Sequence, residues 1–182
     1  DSGTDQIVVN SIKLYNVTTS QVRYNFVNNN GKYESTNQRE DDTAANSYIP
    51  IDLTNCQGEY NLIINAEISS ESYDFGYATI TEDKTRPDYN ADNRTIVSIS
   101  GIVSAQDYTA ILEGGKIYYL HLGYYKDEIG SLENDKFTIN SINVSLKSPE
   151  LYQTIVKTNS IGQAIAKIPF GKYSITELEA PD

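Results

Sequence analysis

Nucleophilic or acid–base chemistry needs a histidine, a thiol or an acid held beside a partner, and this sequence is sparing with the first two. Its 182 residues include one histidine, His121, and one cysteine, Cys56. A single His with no acid motif beside it completes no Ser/His/Asp or Cys/His arrangement, and a single thiol makes neither an internal disulfide nor a Cys-based zinc site. Gly114-Gly115-Lys116 lacks the spacing and the following helix of a phosphate loop and reads as a hairpin turn. In the loop Asp88-Tyr89-Asn90-Ala91-Asp92-Asn93 the oxygen side chains of Asp88, Asn90 and Asp92 alternate, as they would to point at one hard cation. Asn93 and Ile99 stand where an EF-hand has Gly and Glu, so the loop is either a metal site of another form or a solvated turn. Tyr119, His121 and Tyr125 share one face of residues 116–125, opposite Tyr118, Leu120, Leu122 and Tyr124. That face is expected to meet solvent and is the candidate surface for a glycan or protein ligand. No cofactor is implied.

The charge balance narrows the partners. Lys and Arg number 14 and Asp and Glu 25, a net charge of −11. Recognition of nucleic acid or of an anionic membrane rests on clustered Lys and Arg, which are dispersed here, so no nucleic-acid partner is expected. No apolar run approaches the ~20 residues of a spanning helix, so no transmembrane role is expected either. Fifteen Tyr against four Phe and no Trp or Met put a hydroxyl on most of the aromatic surface. The chain opens Asp-Ser-Gly-Thr without a methionine, as expected of a processed or excised product.

The elements that must position these residues are strands. Two-residue alternation dominates, most clearly in residues 60–68, where Tyr60, Leu62, Ile64, Ala66 and Ile68 share one face and Asn61, Asn65 and Glu67 the other. Further strands are predicted at 7–17, 22–27, 33–36, 75–81, 95–103, 108–112, 116–125, 137–146, 152–158, 163–168 and 172–179, with a helical turn at 103–108 and a polar loop at 36–47. About a dozen short strands fit an all-β sandwich. The polar stretch 127–135 is the best boundary, giving an N-terminal sandwich over 1–130 and a smaller, incomplete module over 131–182.

Two stretches carry resemblances. Residues 159–182 combine an N-x-x-G turn at Asn159–Gly162, then P-F-G-K-Y, then S-I-T-E-L-E-A-P-D, and so resemble the transthyretin-like B-type repeat domains of Gram-positive collagen adhesins and pilins. The resemblance implies tandem transthyretin-like, Greek-key β-sandwich domains. It also implies a strand acid that catalyses a Lys–Asn isopeptide bond; Glu177 sits where that acid belongs and Lys136 is the candidate amine. On the residues alone, Glu177 reads as an exposed acid beside a hairpin turn. The segments IVVNSIKLYNV, EGGKIYYLHLGYY and FTINSINVSL resemble the fimbrillin-type surface subunits of Bacteroidales, which implies polymerisation into pili by exchange of a strand or tail, or capping of such fibres.

Together these readings lead to a non-enzymatic structural or adhesive subunit of a fimbria or pilus, at the bacterial cell surface or extracellular, whose partners are other subunits or a host glycan or protein. Its mechanism would be strand pairing at open sheet edges, the C-terminal module lacking its last strand. The alternative is an extracellular glycan- or matrix-binding β-sandwich module.

Overall fold

The computed structural model describes residues 13–17, 24–85, 94–128, 130 and 134–147, together with 156, 159–161 and 163. The chain divides into two compact units, Asp1–Lys147 and Ser148–Asp182. Ten strands make up the described part of the first unit. They are β1 (Tyr15–Asn16), β2 (Phe26–Asn29), β3 (Lys32–Ser35), β4 (Thr43–Asp52), β5 (Glu59–Ser69), β6 (Phe75–Thr81), β7 (Thr95–Ser100), β8 (Ile102–Glu113), β9 (Ile117–Lys126) and β10 (Lys136–Leu146). Sheet I has the order β1-β4-β9-β6-β7 and sheet II the order β2-β3-β10-β5-β8.

The pairing follows one rule. β3 pairs β10, β4 pairs β9, β5 pairs β8 and β6 pairs β7, each antiparallel, so residues 32–146 form a single long hairpin folded at β6–β7. Two further pairings, β10 with β5 and β9 with β6, roll that hairpin into two sheets. This is a jelly roll, with β1 and β2 added at one edge of each sheet. The all-β sandwich is as expected. The transthyretin-like order is not the one seen in Asp1–Lys147, and the strand order of Ser148–Asp182 lies outside the described residues.

Alternation builds the core. The inward residues Tyr60, Leu62, Ile64, Ala66 and Ile68 of β5 meet Tyr118, Leu120, Leu122 and Tyr124 of β9, with Phe26, Ile49, Ile80, Val97, Leu112, Phe137 and Ile139 in the same buried cluster. Each Leu, Ile, Val or Phe among them contributes ~1.5–3 kcal/mol when taken from water.

Three expectations change. Residues 103–108 belong to β8, because they pair with β5 and lack the 3.6-residue apolar period of a helix. The loop expected over 36–47 already contains the start of β4, a strand hidden in the sequence by polar residues and by Pro50. Among the described residues β1 reaches only Ser47 and Tyr48, so at Pro50 β4 has β9 alone beside it, and a residue without an N–H is accommodated there. The boundary expected at 130/131 moves to 147/148, because β10 lies between β3 and β5 inside the first unit. In the second unit, Asn159 Oδ1 accepts the N–H groups of Ile161 at 3.1 Å and Gln163 at 2.9 Å, and the Asn159 N–H donates to Gln163 O at 2.8 Å. The predicted turn after Asn159 is therefore hydrogen-bonded as an Asx turn.

Candidate functional site

An edge strand carries unpaired backbone groups, and β8 is the longest edge strand among the described residues. It has 12 residues, pairs only with β5 among the described residues, and leaves most of its side chains in solvent, with Ile102 at 77% and Ile111 at 46% exposed. At Gly101 the chain crosses from sheet I to sheet II with φ of +72°, a left-handed conformation that costs glycine nothing. β7 and β8 separate from that crossing. Between their far ends opens a cleft of about 480 Å³ whose floor includes Ile80, Ile96, Ala110, Leu112 and Tyr118 and whose rim carries Glu82, Arg94, Glu113 and Lys116. Lys116 Nζ bonds Glu82 at 3.0 Å and Glu113 at 3.3 Å. Those two carboxylates, Glu82 first, hold its pKa above the ordinary lysine value.

A buried charge cluster lies at the end of β9. The inward face of β9 continues past Tyr124 to Lys126, whose side chain is 0% exposed. Its Nζ donates to Asp135 Oδ2 at 2.8 Å and to Asp74 Oδ2 at 2.9 Å, both carboxylates equally buried, and lies 3.8 Å from Asp41 Oδ1. Ser70 Oγ donates to Asp74 Oδ2 at 2.6 Å and sits 2.6 Å from the Tyr124 hydroxyl, and the Asp127 N–H donates to Asp74 Oδ1 at 2.9 Å. Burial alone would lower the Lys126 pKa, but the bonds from Asp135 and Asp74 and their charge outweigh it and hold the ammonium above its ordinary range. Burial pushes the Tyr124 phenol well up, with the Asp74 and Asp135 charges acting in the same direction, so it stays protonated. The cluster ties β9, the residue before β6 and the residue before β10 together, joining the two sheets at one end. Sequence reasoning missed it. The signal was parity, since Lys126 has the same even spacing as Tyr118, Leu120, Leu122 and Tyr124.

The outer face of sheet I departs from expectation. Tyr119 and His121 point outward as predicted but are 7% and 2% exposed, and only Tyr125 reaches solvent, at 37%. His121 Nε2 lies 3.2 Å from Thr81 Oγ1 and 3.1 Å from the Asp83 carbonyl. Tyr48 sits between three rings, stacked on Tyr15 at 5.2 Å and 5.8 Å from both Tyr119 and His121. The Lys84 ammonium caps Tyr119 at 5.9 Å. Tyr77 crosses Gly123 to donate to Asn46 Oδ1 at 2.8 Å, a path open because Gly123 has no side chain: a Cβ there would lie 1.9 Å from Tyr77 Cζ. Polar and aromatic outward residues of neighbouring strands thus cover one another, which period-two reasoning on a single strand does not detect. Tyr125 packs against Phe75 at 5.3 Å.

The other predicted residues separate. Lys136 lies in β10 and donates to Glu34 of β3 at 2.7 Å, a bond that chiefly holds the Glu34 carboxyl below its usual range. Glu177, and the metal candidates Asp88, Asn90 and Asp92, lie outside the described residues. Among the described residues, carboxylate oxygens of Glu71, Asp74 and Asp127 come within 4.8 Å of one another, but Asp74 is already committed to Lys126 and Ser70. No helix among the described residues is long and apolar enough to cross a membrane. No protein-family model matches the chain, and no curated protein matches it.

Proposed function

We propose that this chain is a non-enzymatic structural or adhesive subunit of a bacterial cell-surface fibre that associates through strand pairing at the free edge of β8. The observation that carries this reading is the edge itself: 12 residues long, exposed, and bordering an apolar-floored cleft. Lysine and proline, two residues that often guard such edges, are absent from β8, and its bulge leaves residues 106–113 in unbroken register. An added strand satisfies the outward N–H and C=O groups of β8 and places alternate side chains toward Ile96, Ala110 and Tyr118. The resemblance of residues 159–182 to adhesin repeats supports a surface location.

Hydrogen exchange tests this. A synthetic peptide copying Tyr60–Ile68, the strand sequence that β8 already accepts on its other side, is expected to slow exchange of the outward amides of residues 106–113. Unchanged exchange at all peptide concentrations overturns the reading.

A second reading, a glycan-binding module, is favoured by the solvent-facing Tyr125 against Phe75. With Tyr119 and His121 buried, its platform narrows to that pair. Glycan-array signal lost on Tyr125→Ala is its expected outcome, and signal unaffected by that change counts against it.

A further inference from the structure

We infer that the occupant of the β8 edge is a second copy of this chain, paired antiparallel β8 to β8 about a twofold axis at Thr109. The inference rests on the reading of β8 as a strand-accepting edge and specifies the partner.

The first argument is where the edge is flat. β5 and β8 keep a constant register from Glu59↔Glu113 to Ala66↔Gln106, then shift by one residue before Ile68↔Val103. The extra residue puts a bulge in the first half of β8, which bends that part away from any incoming strand. Residues 106–113 remain straight. They carry two charged side chains, Asp107 and Glu113, and Asp107 is held back by the Asn65 amide at 2.7 Å.

The second argument is self-complementarity. A twofold axis perpendicular to the sheet keeps both copies' inner faces on the same side, so a residue must oppose one of equal parity. Two registers pair seven of the eight straight residues with one another. Centring on Ala110 sets Asp107 directly against Glu113 at both ends, and directly opposed like charges are destabilising. Centring on Thr109 sets Thr109 against Thr109, Tyr108 against Ala110, Asp107 against Ile111 and Gln106 against Leu112. No like charges then meet. Each Tyr108, half-buried on the inner face, covers the small Ala110 of the other copy, and the exposed Ile111 gains a neighbour. The two five-stranded sheets II become one continuous sheet across the axis.

The test uses the full chain. Sedimentation velocity from ~1 µM to ~1 mM is expected to show a monomer–dimer equilibrium, the range reflecting an interface at the small end of the size classes. Thr109→Lys opposes two ammonium groups on the axis and is expected to weaken the dimer at least tenfold, with Thr109→Val retaining it and both variants melting near the parent. In a Cys56→Ser background, oxidised Thr109→Cys is expected to give a disulfide-linked dimer, since directly opposed residues lie within disulfide reach, while Ile111→Cys does not. A dimer unaffected by Thr109→Lys, or linking through position 111 instead, overturns the inference. A chain monomeric up to ~1 mM also overturns it, and the peptide protection experiment then decides separately whether β8 accepts any other strand.

Discussion

β8 and β9 are consecutive strands joined by a short turn, yet they meet opposite environments. β9 lies between β4 and β6 and buries nine of its ten residues completely or partly, Tyr125 being the exception. β8 has β5 on one side and leaves most of its residues in water. Apolar content does not explain the contrast, since β8 holds Ile102, Val103, Ile111 and Leu112. Position in the rolled hairpin does: β9 is two rungs from its open end, while β8 is carried to the rim of sheet II. The chemistry follows position. A charge on β9 has to be paired inside the protein, whereas the charges on β8 are solvated, so β9 is where substitutions should cost stability and β8 where they should alter association.

The largest expected effect breaks the β9 side of that comparison. Lys126→Ala leaves Asp74 and Asp135 buried without their cation and should cost ~3–5 kcal/mol, read as a fall in melting temperature on the order of 10 °C. Next, Gly123→Ala pushes a methyl into the Tyr77 ring and should cost ~1–3 kcal/mol in chemical denaturation. In a Tyr77→Ala background the same substitution should cost clearly less, because the ring it strikes is gone; equal costs in both backgrounds would show that the contact does not limit position 123.

A smaller effect is expected between β3 and β10. Glu34→Gln weakens the bond to Lys136 and should cost ~0.5–1 kcal/mol. The folded-state pKa of Glu34 is depressed below 4.5, chiefly by Lys136. Its contribution is therefore full above pH 4.5 and is lost as the pH falls through the lower folded value. The stability difference between wild type and Glu34→Gln should accordingly shrink on acidification below 4.5, and a difference that grew would reverse the assignment. The smallest effect sharpens the β8 side: Ile111→Lys should change stability by no more than ~0.5 kcal/mol, although the same residue faces the proposed partner.

How far these elements were legible depended on what each residue's neighbours supplied. The faces of β5 and β9 could be read directly, because alternation reports one strand's own two sides. β4 could not, since Pro50 and its run of Ala, Asn and Ser argue against a strand until β9 is seen beside it. The burial of His121 depends on Tyr48 and Thr81, which come from other strands, so no reading of residues 116–125 alone would reveal it. Lys126 was legible by parity, but its counter-ions Asp74 and Asp135 are 52 and 9 residues away and join it only through the roll. The β8 edge was half legible: its strand-forming residues stand in the sequence, but being an edge is a property of the sheet.

The nested pairing also sets an order in time. Glu34 and Lys136 meet across 102 residues, so the outermost rung of the hairpin closes a very long loop. β10, which fills the centre of sheet II, is the last of the ten strands to be made. At ~5–20 residues per second of synthesis, β3 and β5 wait several seconds or more for the strand that belongs between them. Folding after completion should then fall in the millisecond-to-second range typical of non-local β topologies. The unit therefore remains open while it is being made, and closes only when Leu146 has emerged.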